Sequence, residues 1–323
     1  MTRRGLIVGK FYPPHRGHKY LLDCGRQNVD ELYVIVCQKP DELPSGALRA
    51  AWLREIHPDV QVLLIDDVYD EQDSKVWATN SIQWLGFVPD VVFTSEDYGA
   101  RFAHYLGCEH VQVDKARQVE PVSGTQVRAN PLRCWIYLEA PVREYYAKRI
   151  CLVGAESTGK TTLAQALAKH YQTIWVAEYG REYAEQKLAD ENGYLWRGDE
   201  FTHIAEIQCE RENAAARQAN KTLLCDTDAF ATSIWYRRYL NSKSIEVETI
   251  VANHRVPDLY LLTDVNTPFE QDGTRDGELI REWMHDAFLT ELQARNLPFR
   301  FLTGTHEARF QLAINYIDEI IAG

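Results

Sequence analysis

One stretch decides the fold of this chain: Ile150-Cys-Leu-Val-Gly-Ala-Glu-Ser-Thr-Gly-Lys-Thr161. Its apolar first residues predict a buried strand, the next residues match Gly-x-x-x-x-Gly-Lys-Thr, and Leu163 to His170 then predicts a helix. Between a strand and a helix, the backbone N–H groups of such a loop cradle the phosphates of a nucleotide. We call residues 154–161 the P-loop. The predicted nucleotide contacts here are Gly154, Glu156, Ser157, Thr158, Gly159, Lys160, Thr161 and Thr162.

Two residues of the P-loop have predicted chemical roles. The Lys160 ammonium would reach the β- and γ-phosphate oxygens, and the Thr161 hydroxyl would ligate Mg²⁺. A GTPase should also carry Asn-Lys-x-Asp for guanine, whereas Asn220-Lys-Thr-Leu223 has leucine in place of the aspartate. The sequence therefore favours a kinase that uses ATP and a small-molecule acceptor.

Acidic residues follow the next strands of this half. Glu178 comes after the second predicted strand, and Asp226 and Asp228 close the third. Asp226 is the candidate for the Mg²⁺ shell, while Glu178 and Asp228 compete as the base that accepts the acceptor's proton. Asp228 has the alternative role of a helix cap. Tyr179 and Arg181 lie beside Glu178 and complete the predicted acceptor contacts.

A glycine- and charge-rich segment follows the fourth strand of this half. It runs Asn266-Thr-Pro-Phe-Glu-Gln-Asp-Gly-Thr-Arg275. Segments of this kind close over kinase active sites, and an arginine there stabilises charge on the transferring phosphate. The segment therefore predicts a lid in which Arg275 contacts ATP.

A different constellation occupies the first half of the chain. A short apolar strand leads into Gly9-Lys-Phe-Tyr-Pro-Pro-His-Arg-Gly-His18, where His15 and His18 are three positions apart at the start of a predicted helix. Two such histidines alone are more often a surface pair or an occasional metal site. At a helix N-terminus beyond the carboxyl end of a strand, however, donors of this kind stabilise charge on a triphosphate.

A second segment, Ser123-Gly-Thr-Gln-Val-Arg128, gives the histidines their context. Together with residues 9–18 it resembles the paired signatures of the nucleotidylyltransferase superfamily, and within it the nicotinamide-mononucleotide adenylyltransferases. The resemblance implies that the mononucleotide's own phosphate attacks the α-phosphorus of ATP, that pyrophosphate leaves, and that no protein nucleophile is needed. The ATP contacts that it implies are Gly9, Lys10, Phe11, His15, His18, Ser123, Thr125 and Arg128, of which His15, His18 and Arg128 are catalytic.

The same family carries an aromatic residue that stacks on the nicotinamide ring. The matching segment is Val76-Trp-Ala-Thr-Asn-Ser-Ile82, so Trp77 is the candidate. A lone tryptophan is equally often part of a hydrophobic core. Both interpretations of Trp77 remain open at this point.

Over nearly its whole length the chain resembles the bifunctional nicotinamide-nucleotide adenylyltransferases and ribosylnicotinamide kinases. The resemblance implies phosphorylation of nicotinamide riboside to the mononucleotide and adenylylation of that product to NAD. The alternatives are another riboside or nucleotide as acceptor, or a slow NAD or ATP sensor. Some family members begin with a helix-turn-helix domain, whereas the first catalytic strand here starts at about residue 5, so transcriptional repression is not expected.

Strand-like and helix-like stretches alternate throughout, which predicts an α/β protein with two doubly wound parallel sheets. We expect an adenylyltransferase domain at residues 1–145 and a kinase domain at residues 146–323. The predicted strands are Gly5 to Gly9, Leu32 to Cys37, Val60 to Ile65, Val91 to Thr94, His110 to Val113, Arg149 to Val153, Thr173 to Val176, Thr222 to Cys225, Leu259 to Thr263 and Phe299 to Leu302.

Charge and composition narrow the class of protein further. The 323 residues include 35 Lys and Arg against 47 Asp and Glu, and the net charge of −12 argues against nucleic acid as a main partner. No apolar run reaches the roughly 18 residues of a membrane span. The seven cysteines occur singly, which is typical of reduced thiols in a cytoplasmic protein. The expected partners are small molecules, and an oligomer remains possible.

Overall fold

The computed structural model describes residues 1–70, 72–188, 195–266 and 280–322. The chain divides into two compact units, Met1–Val142 and Arg143–Gly323. Each unit contains one five-stranded parallel sheet covered by helices, and the described residues include all ten predicted strands with small shifts at their ends. The predicted fold class is therefore confirmed.

The first unit alternates strands and helices. Its sheet has the order β3-β2-β1-β4-β5. The chain adds β2 and β3 on one side of β1 and then β4 and β5 on the other side, so the strand order reverses between β1 and β4. In open parallel sheets, ligands bind beyond the carboxyl ends of the strands at such a reversal. The elements are β1 (Arg4–Gly9), α1 (Arg16–Asn28), β2 (Glu31–Gln38), α2 (Gly46–Ile56), β3 (Gln61–Asp66), α3 (Ser74–Leu85), β4 (Val91–Thr94), α4 (Gly99–Leu106), β5 (Glu109–Gln112), α5 (Gly124–Ala129) and a 3₁₀ helix (Trp135–Tyr137). The next helix, α6 (Ala140–Tyr146), contains the boundary between the two units.

The central strands β2, β1 and β4 are buried on both faces, which explains why they are largely apolar, whereas the edge strand β5 (Glu-His-Val-Gln) is not. Neighbouring residues of one strand enter opposite cores: Ile7 packs with α1 and α2, and Leu6 packs with α3 and α4. The two covering layers fix the carboxyl end of β1, where the loop that carries His15 and His18 begins.

The second unit has the sheet order β10-β9-β6-β8-β7, with the P-loop strand β6 at its centre. β8 and β9 flank β6 in parallel, so residues at the ends of both strands approach the P-loop. Its elements are β6 (Lys148–Val153), α7 (Lys160–His170), β7 (Trp175–Val176), α8 (Tyr179–Lys187), α9 (Gly198–Ala216), β8 (Thr222–Asp226), α10 (Ala229–Leu240), α11 (Ile245–Asn253), β9 (Leu259–Thr263), α12 (Ile280–Ala294), β10 (Phe299–Leu302) and α13 (His306–Ala322).

Apolar side chains of β6, β8 and β9 pack against α7 and α13 on one face of the second sheet. Among the residues that the structure describes, no helix is long and apolar enough to cross a membrane.

Candidate active sites

A cavity of about 780 Å³ lies at the carboxyl ends of the strands in the first unit. It gathers every residue that the sequence assigned to the adenylyltransferase site, although these come from segments more than 100 positions apart. They are Gly9, Lys10, Phe11, His15, His18, Trp77, Ser123, Thr125 and Arg128.

His15 and His18 stack on each other at the start of α1. Their ring centroids are 3.8 Å apart at an interplanar angle of 26°, and Phe11 packs edge-on against His18 at 5.0 Å. His15 is the residue that precedes the helix, and His18 lies in its first turn. Both Nδ1 atoms are buried and have no hydrogen-bond partner within the described part of the chain.

Burial controls the charge of these two imidazoles. It lowers the pKa of His15 to about 4, with a smaller effect from the Arg117 cation. Burial also lowers the pKa of His18 well below its usual value, and the neighbouring His15 and Arg117 act in the same direction. Both rings are therefore neutral at physiological pH in the free protein, so each can donate a hydrogen bond without carrying a charge.

The segment at residues 123–128 reaches the histidine loop directly. Ser123 caps α5, and a Cβ atom on Gly124 would lie only 2.7 Å from the Tyr12 carbonyl oxygen, so no larger residue fits. Arg128 donates hydrogen bonds to that carbonyl oxygen and, at 3.1 Å, to the Thr125 hydroxyl. Its guanidinium lies 4.7 Å above the Tyr12 ring. These contacts present Arg128 to the cavity in one orientation.

Trp77 belongs to both the core and the cavity. Only 8% of its surface is exposed, and its ring meets Tyr69 and Trp84 edge-to-face. Its indole N–H donates to the Asp70 carbonyl oxygen at 3.0 Å. Trp77 also lines the cavity, so it forms a rigid apolar wall there.

Sequence reasoning missed several charged residues that line this cavity, among them Asp67 and Arg117. Asp67 follows β3 directly, and its side chain is 1% exposed with one oxygen 3.6 Å from the Lys10 ammonium. Its position just beyond a strand end was the available signal. Arg117 lies in a loop with a left-handed backbone (φ 50°) and pairs with Glu96 at 3.2 Å. No pattern in the sequence marks Arg117.

The second unit contains a cavity of about 350 Å³ around the P-loop. Of the predicted kinase residues it brings together Glu156, Ser157, Thr158, Gly159, Lys160, Thr161, Thr162, Glu178 and Arg181. It also has an aromatic wall that the sequence analysis did not anticipate, formed by Trp196, Phe201, Trp235 and Tyr239. Arg275 and most of the predicted lid lie outside the described residues.

Hydrogen bonds hold the side chains of two P-loop residues, Lys160 and Thr161. Lys160, the first residue of α7, is buried, and its ammonium donates to the Ala155 carbonyl oxygen at 2.8 Å. The Thr161 hydroxyl donates to one oxygen of Asp226. The other Asp226 oxygen is buried without a hydrogen-bond partner among the described residues. A hydroxyl and a free carboxylate oxygen are the ligands that Mg²⁺ prefers, so the donor set fits this ion.

Glu178 is the carboxylic acid beside the phosphate site. It precedes α8 and lines the cavity, but within the described chain its side chain accepts no capping hydrogen bond from that helix. Burial and the nearby Asp226 carboxylate raise the pKa of Glu178 to about 7, with Lys160 and Arg181 opposing them. A carboxyl with such a pKa is suited to accept a proton near neutral pH.

Four predicted kinase residues are not among the described residues that line the cavity: Gly154, Tyr179, Asp226 and Asp228. Asp228 is buried, and its oxygens accept hydrogen bonds from the Ala231 N–H (2.9 Å) and the Tyr260 hydroxyl (2.6 Å). This is the helix-cap alternative for Asp228. The Tyr179 ring lies 4.4 Å beneath the Arg211 guanidinium, and its hydroxyl is 3.2 Å from His203.

Known proteins resemble the chain over nearly its whole length. A family described as an AAA domain matches residues 149–309. The trifunctional NAD biosynthesis/regulator protein NadR of Escherichia coli is 28% identical over an alignment of 343 positions, which covers 98% of this chain and 83% of the relative. NadR of Salmonella typhimurium is 27% identical with the same coverage. The chain is a NadR-type protein. The resemblance found in the sequence is therefore confirmed.

Solved structures agree with this NadR-type assignment in fold. A NadR protein crystallised in complex with NR has a TM-score of 0.80 at 21% identity and covers 100% of this chain and 97% of its own. A NadR protein in complex with NAD and AMP-PNP has a TM-score of 0.78 at 20% identity, with coverages of 99% and 96%. The NadR-type chain thus shares its two-unit architecture with these proteins.

Proposed function

We propose that this NadR-type protein makes NAD in two steps. The second unit phosphorylates nicotinamide riboside to the mononucleotide, and the first unit transfers the adenylyl group of a second ATP to that product. The observation that carries the proposal is that each unit has its own cavity with a different phosphate-binding constellation. The NadR relatives support the same pair of activities.

In the first unit the reaction is a displacement at phosphorus. The mononucleotide's phosphate oxygen forms a bond to the α-phosphorus of ATP as the bond to pyrophosphate breaks. The N-terminus of α1, the neutral donors His15 and His18, and the Arg128 guanidinium stabilise the charge that builds up on the phosphate oxygens. Trp77 supplies a flat apolar surface for the nicotinamide ring.

In the second unit the riboside's 5′-hydroxyl attacks the γ-phosphorus of ATP and ADP leaves. The P-loop amides and Lys160 hold the phosphates, and Glu178 accepts the hydroxyl proton. Thr161 and Asp226 would hold Mg²⁺, which neutralises charge on the β- and γ-phosphates when bound. We retain Arg275 as a proposed lid residue.

The aromatic wall of the second cavity favours nicotinamide riboside over uncharged ribosides. The ring centroids of Trp196 and Tyr239 are 5.1 Å apart, and Phe201 and Trp235 pack beside them. The nicotinamide ring of the riboside is a pyridinium cation, and cations bind favourably to aromatic faces. The proposed ligands are therefore ATP, nicotinamide riboside, the mononucleotide and NAD, in a cytoplasmic enzyme.

The proposed function is tested by incubating the purified protein with ATP, Mg²⁺ and nicotinamide riboside and separating the products by chromatography. We expect the mononucleotide to appear first and NAD to follow. If ADP is released only with other ribosides, the kinase uses a different acceptor. If ligands bind and no product forms, the protein is a sensor.

Glu178→Gln is expected to lower the kinase kcat by about 10² or more, because the amide keeps the shape of the side chain and removes its basicity. The KM for ATP should change little. Glu182→Gln is the matched control, because Glu182 lies in the first turn of the helix that follows Glu178 but pairs with Arg211 at the surface. Normal turnover by Glu178→Gln would remove the base assignment.

The kinase should lose activity below neutral pH. Since the raised pKa of Glu178 is about 7, the carboxyl is protonated below that pH and cannot accept the hydroxyl proton. We expect kcat/KM, measured with both substrates below saturation, to fall about tenfold per pH unit below pH 7 and to level off above it. Glu178→Gln should abolish this dependence. If the variant retains it, another group, such as Asp226, is responsible.

A further inference from the structure

Arg309, on α13, forms a hydrogen bond with the backbone of the P-loop. It is 4% exposed and is not among the described residues that line the cavity. One terminal nitrogen of its guanidinium donates to the Thr158 carbonyl oxygen at 2.9 Å, and the other donates to the Asp264 carboxylate just beyond β9. A buried arginine thus joins the backbone of the P-loop to the end of a neighbouring strand.

The geometry of the peptide group gives this contact a directional consequence. A trans peptide is planar, and its C=O and N–H point in opposite directions. The carbonyl of Thr158 and the N–H of Gly159 belong to the same peptide group. Because Arg309 holds that carbonyl, the Gly159 N–H is directed away from Arg309, and Gly159 is a residue that lines the cavity.

Thr263, the last residue of β9, also holds the P-loop through hydrogen bonds. The Thr263 hydroxyl lies 2.7 Å from the Thr158 hydroxyl oxygen and donates to the Val153 carbonyl oxygen at 3.2 Å. At Gly154 an added Cβ would lie 2.4 Å from the Thr263 hydroxyl oxygen, so the strand and the loop are in close contact. Asp264 follows Thr263 directly and fixes the guanidinium of Arg309.

The chemistry at this position requires an arginine. Its planar guanidinium donates two hydrogen bonds in fixed directions, whereas a lysine ammonium is a point charge on a flexible stem. A lysine ammonium could keep the positive charge opposite Asp264, but it would not donate to the Thr158 carbonyl oxygen and to Asp264 in the same fixed directions.

We propose that Arg309 is a positioning residue for nucleotide binding in the second cavity. By holding the Thr158 carbonyl, it presents the Gly159 N–H to the nucleotide's phosphates before the nucleotide arrives. The proposal rests on the proposed function only for the identity of the nucleotide, which we take to be ATP.

The test compares Arg309→Lys with Arg149→Lys in the full-length chain. Arg149 is a matched control because it is also buried and hydrogen-bonded, to Asn213 at 2.8 Å, but it lies at the start of β6, away from the P-loop. The dissociation constant for AMP-PNP with Mg²⁺ is measured by calorimetry and the unfolding temperature by circular dichroism. We expect Arg309→Lys to weaken AMP-PNP binding about tenfold.

The control should behave differently. Arg149→Lys should lower the unfolding temperature without changing AMP-PNP affinity, and neither variant should change the KM for the riboside. Unchanged AMP-PNP affinity in Arg309→Lys, or equal losses in both variants, would overturn the proposal. If Arg309→Lys and Arg309→Gln both fail to fold while Arg149→Lys folds, Arg309 has a structural role and the proposal is likewise wrong. Wild-type protein that binds AMP-PNP without phosphorylating the riboside would contradict the proposed function alone.

Discussion

Lys160→Ala is expected to lower the rate of riboside phosphorylation by about 10² to 10³, because it removes a preorganised cation from the phosphate site. Lys160 is held in place, since it begins α7 and its ammonium is hydrogen-bonded within the P-loop. Adenylylation of supplied mononucleotide should continue at nearly the wild-type rate, because that reaction uses the cavity of the other unit. Both rates are measured by chromatography of the products.

Lys169→Ala is the matched control for this variant. Lys169 lies on the same helix, two turns farther along and exposed to solvent, so its removal should leave both activities unchanged. Equal loss of both activities in a folded Lys160→Ala protein would mean that one ATP site serves both reactions.

His18→Ala should have the reciprocal effect. The imidazole is a neutral donor held against His15 and Phe11, so removing it should slow adenylyl transfer by about 10² to 10³, or roughly 3 to 4 kcal/mol. Phosphorylation of the riboside should be unaffected. The measurement is NAD formation from supplied mononucleotide, with mononucleotide formation from the riboside as the internal reference.

His104→Ala controls for the loss of a histidine in the same unit, because His104 is exposed on α4. An unchanged rate of NAD formation by His18→Ala would make the two stacked histidines a structural pair. Partial activity in His18→Gln, whose amide also donates a hydrogen bond, would support the role of a neutral donor.

The strands and the P-loop could be predicted from the sequence because their causes are local. A strand buried on both faces must be apolar along its length, and the phosphate cradle requires glycines and a lysine at fixed positions. The meeting of Arg128 with Tyr12 is different, since 116 positions separate them. Only the resemblance to a family, and no spacing within the chain, indicated that these segments share one site.

The choice between Glu178 and Asp228 shows what the sequence could not decide. Both acids follow a strand and precede a helix, so their patterns are equivalent. In the structure Asp228 points back to the Ala231 N–H and the Tyr260 hydroxyl, whereas Glu178 faces the cavity. The two acids thus differ in the direction of their side chains, which the sequence pattern does not specify. The aromatic wall was missed for a related reason, because Trp196 and Trp235 lie on different segments and both pack against Tyr239 only in the folded chain.

The central claim is that one chain transfers the γ-phosphoryl group of one ATP and the adenylyl group, with its α-phosphorus, of a second ATP. The fate of labelled phosphorus tests this claim most directly. NAD is made from nicotinamide riboside in parallel reactions with ATP labelled at either the γ- or the α-phosphorus. The account predicts that each NAD carries one phosphorus from the γ-position, in its nicotinamide half, and one from the α-position, in its adenylyl half. NAD that contains no γ-phosphorus, or no NAD formed from the riboside, would contradict it.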